Sequence, residues 1–173
     1  MRIPTLAATA AAVAVTAAAG ARATAPQVTS RWYQQLRKPA YQPPRQVFPV
    51  VWPALYADIA VVSASTLDRL DSTGRDRERG TYQVALIINL VLNAGWSWLF
   101  FNRRRFGTAT VLSAGLTASS VDLARRAVAA RGAGALPLVV YPLWCTFATV
   151  LCGHISLLNS GHRAPPTRSA VTP

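Results

Sequence analysis

The chain has 173 residues, of which 51% are hydrophobic and only 14% charged, and its formal net charge is +12. Charges this few, gathered in short runs, exclude a soluble helical domain, whose helices would each need a polar face. They fit an all-α integral membrane bundle with basic helix ends.

Five apolar stretches of about 20 residues, each long enough to cross ~30 Å of hydrocarbon, are predicted over residues 3–24, 47–67, 82–101, 107–124 and 135–158. The first and fourth consist mainly of Ala, Thr, Ser and Gly, a composition that favours close helix packing. Met1-Arg2 before an Ala-rich run, with Ala21-Arg22-Ala23 after it, would also suit a cleaved signal peptide, whose loss would leave four spans. From Trp32 to Val47, Pro39, Pro43 and Pro44 predict a stiff irregular loop before any helix begins. Pro49 and Pro53 fall early in the second span and predict a bend near Trp52. Asp68–Gly80 reads as a solvent loop broken by Gly74 and Gly80. The triply basic link Asn102–Phe106 is short enough to make the third and fourth spans antiparallel neighbours, and Arg131–Gly134 closes the next turn. Residues 1–160 thus form one transmembrane domain, and 161–173, with no apolar face, a disordered tail on the cytoplasmic side.

A charge of +12 also raises a nucleic-acid surface, but the distribution of cations favours membrane ends. One side of a five-span chain holds Arg22, Arg31, Arg37, Lys38, Arg45, Arg103, Arg104, Arg105, Arg163 and Arg168 and no acid. The other side holds eight cations diluted by Asp68, Asp71, Asp76, Glu78 and Asp122. The balance predicts a cytoplasmic C-terminus in a cell inner membrane and no nucleic-acid partner. Cys145 and Cys152, seven apart on one helix, would lie ~10 Å apart, beyond disulfide reach. Neither of the two histidines has metal-ligand spacing to Cys, Asp or Glu, so no metal site is expected.

Helical geometry gathers the aromatics. Trp52 and Tyr56 share one face of the second span, opposite Asp58 with Ala54 and Ser65. Asn89, Asn93, Trp96 and Phe100 form a stripe on the third span, with Trp98 turned to lipid. Tyr141, Trp144, Cys145, Ala148, Cys152, Ile155 and Asn159 form one on the fifth, with His154 off it. Together Trp52, Tyr56, Asn93, Trp96, Tyr141 and Trp144 could line an apolar cavity with a few convergent polar groups, suited to a flat aromatic ligand. The same pattern also serves helix packing alone, and periodicity does not separate the two readings. Asp58, costly at membrane depth, is assigned to a helix or protomer contact because its neighbours are small. No Ser/His/Asp arrangement, carboxylate pair or phosphate loop is present in the sequence, so hydrolytic chemistry has no place.

Three spaced motifs carry a family resemblance. Trp32-Tyr33, Leu36, Lys38-Pro39, Pro43-Pro44, Phe48, Val51-Trp52 and Leu55-Tyr56 form the first. Leu90, Leu92-Asn93, Trp96-Ser97 and Leu99-Phe100-Phe101 form the second, and Tyr141, Trp144, Phe147-Ala148-Thr149 and Leu151 part of the third. In these the chain resembles, over nearly its whole length, the TspO/MBR family of tryptophan-rich sensory proteins, which includes the mitochondrial translocator protein or peripheral benzodiazepine receptor. The resemblance implies five retained spans, a homodimer in the lipid bilayer, and a pocket beneath the first loop for porphyrins and synthetic aromatic ligands. Carried over by position, it implies Tyr33 and Pro43 in the loop lid, Trp52, Asn93, Trp96 and Ala148 in the pocket wall, and Trp144 as the facing indole. No cofactor is required, and protoporphyrin IX or haem would be the ligand. The implied roles are porphyrin transport, sensing or light-dependent degradation, the last using Trp52 and Trp144 to exchange electrons. The alternative is a non-catalytic regulator of another membrane complex acting through the Arg-rich loops. The chain departs from the family at Val140-Tyr141-Pro142, where Pro usually precedes Tyr, at Cys152 and Asn89, where Asn and Gln are usual, and at Ala60, where Gly is usual. The sterol-recognition pattern is missing after Leu151, so cholesterol is not expected as a partner.

Overall fold

The computed structural model describes residues 1–160, and the tail expected over 161–173 lies outside the described residues. The order is α1 (Ile3–Val28), a short α2 (Arg31–Gln35), α3 (Phe48–Ser72), α4 (Asp76–Ser97) with a π-helical turn (Trp98–Asn102), α5 (Phe106–Arg131), a 3-10 segment (Gly132–Val139) and α6 (Val140–Asn159). Four helical runs are long and apolar enough to cross a membrane. The last, Phe106–Asn159, doubles back at the 3-10 segment so that α5 and α6 pack side by side, giving five long helical legs.

Packing follows the small-residue logic of a bilayer, where close backbone approach replaces the hydrophobic drive. On α1 the buried residues Thr9, Val13, Thr16, Gly20 and Ala23 form one stripe at alternating spacings of four and three, facing α3 and α4. Thr9 Oγ1 donates to the Ala60 carbonyl of α3 at 3.0 Å, a buried bond between helices. Between α5 and α6, Thr149 Oγ1 meets Ser113 Oγ at 2.8 Å and Thr117 Oγ1 at 2.9 Å. The hydroxyls of Ser63 and Tyr82 join α3 to α4 at 3.1 Å.

Two expected loops are shorter than their composition suggests. In place of a solvent loop over Asp68–Gly80, α3 continues to Ser72 and α4 begins at Asp76. The charges stay helical because they have partners: Arg2 pairs with Asp68 (3.1 Å) and Asp71 (2.7 Å), and Arg79 reaches Asp71 at 3.5 Å. Asp76 and Glu78 also occupy the first turn of α4, where the helix dipole favours acids. Only Gly74, at φ 65°, breaks the chain; Gly80 is helical. The second difference is α2, a helical turn inside the proline-rich passage expected to be wholly irregular. Ser30 Oγ caps it by accepting from the Tyr33 amide at 3.2 Å, ahead of the first proline.

Candidate functional site

The aromatic residues gather at the end of the bundle where α2 and the following loop cross from α1 to α3. Trp52 and Tyr56, one turn apart on α3, lie with ring centroids 5.5 Å apart. Tyr56 then begins a buried hydrogen-bond chain across the bundle. Its hydroxyl donates to Asn93 Oδ1 at 2.8 Å, Asn93 Nδ2 donates to Tyr141 OH at 3.2 Å, and Tyr141 OH donates to Asn89 Oδ1 at 2.9 Å. Asn89 Nδ2 finishes on Ser119 Oγ of α5 at 3.3 Å. The two intramembrane amides and Tyr141 are fully buried, and this chain answers their need for partners. Four long helices, α3, α4, α5 and α6, are thereby tied together behind the Trp52–Tyr56 wall.

The remaining residues of the expected site fall into two adjoining groups. Trp144 stands edge-on to Phe48 at 6.0 Å and tilted against Phe147 at 5.5 Å, on the same side as Trp52 and Tyr56. Trp96 instead stacks on Phe100 (5.6 Å) and meets Phe101 edge-on (6.3 Å), in the cluster that also holds Tyr33 and Trp32. The π-helical turn explains this grouping, because its extra residue per turn lets adjacent Phe100 and Phe101 both point inward while Trp98 is 52% exposed. Ala148 is half-buried on α6, between Trp144 and Cys152. Pro142 lies in the first turn of α6, where proline is tolerated, so the shift from the family's Pro-Tyr order leaves that helix unbroken.

Over this end lies the loop. Tyr33 packs against Phe101 at 5.9 Å, with Lys38 Nζ 4.0 Å above its ring. Burial pushes the Tyr33 phenol up from its ordinary range and the Lys38 ammonium down. Pro43 is half-buried further along. Two contacts fasten the loop to α6. Asn159 accepts from the Arg37 amide at 3.2 Å and donates to the Arg37 carbonyl at 2.9 Å. Tyr41 OH meets His154 Nδ1 at 3.1 Å, and its ring stands against Phe147. Helical spacing shows His154 leaving the aromatic stripe but gives no sign of its loop partner, 113 residues away. Phe48 and Phe147 also stand among the site's aromatics; Phe48 lies one turn before Trp52 on the wall's own helix, a spacing visible in the sequence.

Two features show what the arrangement can do. Trp144 Nε1 is buried with no hydrogen-bond partner among the described residues, and Trp96 Nε1 has none beyond the weak thiol of Cys152. A buried indole N–H ordinarily finds an acceptor, so among the described residues the Trp144 donor is left for an oxygen-bearing guest, and that of Trp96 has only a weak sulfur to give up. The surrounding surface is flat aromatic carbon. Asp58 lies half-buried on α3, away from this group, with Oδ2 unpartnered among the described residues.

A model of the family described as "TspO/MBR family" matches residues 8–158. The chain is 31% identical to a translocator protein of Ovis aries over 143 residues, covering 78% of each chain. It is 32% identical to the tryptophan-rich protein TspO of Chlorobaculum tepidum over 137 residues, covering 78% of this chain and 83% of that protein. Protein CrtK of Rhodobacter capsulatus is 26% identical over 133 residues, with 76% and 81% covered.

Proposed function

The chain belongs to the TspO/MBR family and is an integral membrane protein of that type, and from this premise we propose that it binds a porphyrin or haem-like tetrapyrrole at the loop-covered aromatic end. The observation that carries the reading is the buried Trp144 indole N–H, unpartnered among the described residues, beside the aromatic wall of Phe48, Trp52 and Tyr56. A tetrapyrrole offers a flat π surface to the rings and carboxylate side arms to an N–H donor, so its two chemistries match the two on the protein. Tyr33 and Pro43 then belong to the lid, Trp52, Tyr56, Asn93, Trp96 and Ala148 to the wall, and Trp144 faces it.

The ring contacts of Phe48, Trp144 and Phe147 mean that a macrocycle enters only by parting them. Loop release from α6 is therefore the opening step, and the ligand is carried or sensed according to whether the loop opens again after binding. Trp52 and Trp144 are also the indoles positioned to exchange electrons with a light-excited porphyrin, which gives a degradative variant of the same binding reading. The active unit is a homodimer in the cell inner membrane with its C-terminus in the cytoplasm, in keeping with the acid-free, Arg-rich loop end.

Titration of the purified protein in micelles with protoporphyrin IX in the dark tests the binding reading. Saturable tryptophan quenching at one porphyrin per chain is expected, whereas linear uptake equal to that of empty micelles would contradict it. Illumination of the saturated complex then separates the variants: decay of porphyrin absorbance faster than that of free porphyrin supports degradation, and equal decay leaves carriage or sensing.

A further inference from the structure

At the opposite end of the bundle from the aromatic site, a surface hollow of about 620 Å³ runs between the start of α4 and the end of α5. Its mouth is charged with both signs, Asp76 and Arg77 from α4 and Asp122 and Arg126 from α5, and its inner part is apolar, with Val84 and Ile88. Those two side chains are 57% and 51% exposed. From Asp76 to Ile88 the helix rises ~18 Å, about the depth of one leaflet's hydrocarbon.

The charges at the mouth are only partly used by the protein. Arg126 bonds Asp122 through Nε at 2.6 Å, and Arg125 also donates to Asp122. Arg77 and Asp76 form no ion pair among the described residues. The mouth of the hollow therefore carries a guanidinium and a carboxylate that are unpaired among the described residues, over an apolar trough. The trough is open at Gly80, where a Cβ would meet nothing within 4 Å.

We propose that this hollow is a binding site for one zwitterionic phospholipid with a primary ammonium headgroup, of the phosphatidylethanolamine type. The phosphate is held by Arg77 and the free nitrogens of Arg126, the ammonium by Asp76 with Asp122, and one acyl chain lies along Val84 and Ile88. An anionic headgroup would satisfy the arginines but meet both carboxylates, and a trimethylated headgroup has no N–H to donate to Asp76. The two signs of charge thus select the headgroup, and the trough selects a lipid over a soluble phosphate.

Native mass spectrometry of the full chain in dodecyl maltoside, titrated with POPE, POPC, POPG or soluble glycerophosphoethanolamine, tests this directly. One POPE per chain is expected to bind about tenfold tighter than POPC or POPG, the worth of one charge-assisted hydrogen bond, with the soluble headgroup not retained. Asp76→Asn should bring POPE down to the POPC level, and Arg77→Gln should weaken both. Gly80→Leu, whose side chain enters open space and leaves the helical circular dichroism unchanged, should abolish retention of POPE. Equal retention of the three lipids, a preference for POPG, or wild-type POPE binding by Gly80→Leu would overturn the assignment.

Discussion

The hydroxyl of Tyr56 donates to Oδ1 of Asn93 at 2.8 Å, and through that bond the aromatic wall of α3 is fixed to a hydrogen-bond chain that reaches α6 and α5. Asn93 is the branch point, accepting from one tyrosine and donating to another. Replacing it with Leu leaves the half-buried Tyr56 hydroxyl without its acceptor and the buried Tyr141 hydroxyl without the donor at its oxygen. We expect Asn93→Leu to lower stability by about 1–2 kcal/mol, and Tyr56→Phe by less, since bonds within membrane bundles average ~0.6 kcal/mol. Unfolding in mixed micelles measures both, and a double-mutant cycle should show the two substitutions coupled.

Loop release should be governed by the bonds to α6. Asn159→Ala removes two bonds to the Arg37 backbone, and Tyr41→Phe removes the one to His154. At about 1 kcal/mol for each net bond, stopped-flow quenching should show porphyrin entering several-fold faster in either variant. The equilibrium affinity should fall less than the exit rate rises, because the ring contacts with the ligand remain.

The loop should also loosen at alkaline pH. Burial raises the Tyr33 phenol above its ordinary 10.0, with the Gln42 side chain acting the other way. A raised folded value means that the stabilising contribution is complete below pH 10.0 and is lost as pH rises through the higher folded value. The part of the phenolate-band absorbance that Tyr33→Phe removes should titrate above pH 10.0, and protease cleavage within 36–47 should increase over the same pH range.

Two glycines should respond in opposite directions. Gly20 is buried on α1 with Ser97 Oγ 3.4 Å and Tyr56 OH 3.9 Å from where a Cβ would stand, so Gly20→Leu overpacks the helix contact and should cost about 1–3 kcal/mol. Gly115 faces outward on α5 with nothing within 4 Å of its Cβ position, so Gly115→Ala should add roughly 0.5–1 kcal/mol of helix stability. Thermal unfolding of the two variants checks the pair.

The apolar legs and the faces they turn inward were readable from residue order, because Asn89 and Asn93 repeat at helical spacing on one helix, as Tyr141, Cys145 and Cys152 do on another, and a polar group in hydrocarbon must face its own kind. The outward turn of Trp98 followed from the same geometry. Less readable were features set by partners distant in the chain. Asp68 and Asp71 looked like loop residues because Arg2, which pairs with both, lies at the far N-terminus. The π-helical turn had no marker such as proline, and it is what brings adjacent Phe100 and Phe101 both against Trp96. The fastening of Arg37 to Asn159 joins residues 122 positions apart, which helical periodicity does not reach.

The most direct test of tetrapyrrole binding at the aromatic end is the dissociation constant of protoporphyrin IX, measured by dark titration for the wild type, for Trp52→Phe with Trp144→Phe, and for Trp98→Phe. Trp98 is the control because it is half exposed on the lipid side and outside both aromatic groups. Binding at least about tenfold weaker is expected for the double variant, which loses two indole surfaces and the N–H left unpartnered among the described residues, and wild-type binding for Trp98→Phe. Equal dissociation constants for all three would contradict it and remove the tetrapyrrole from the aromatic end of the bundle.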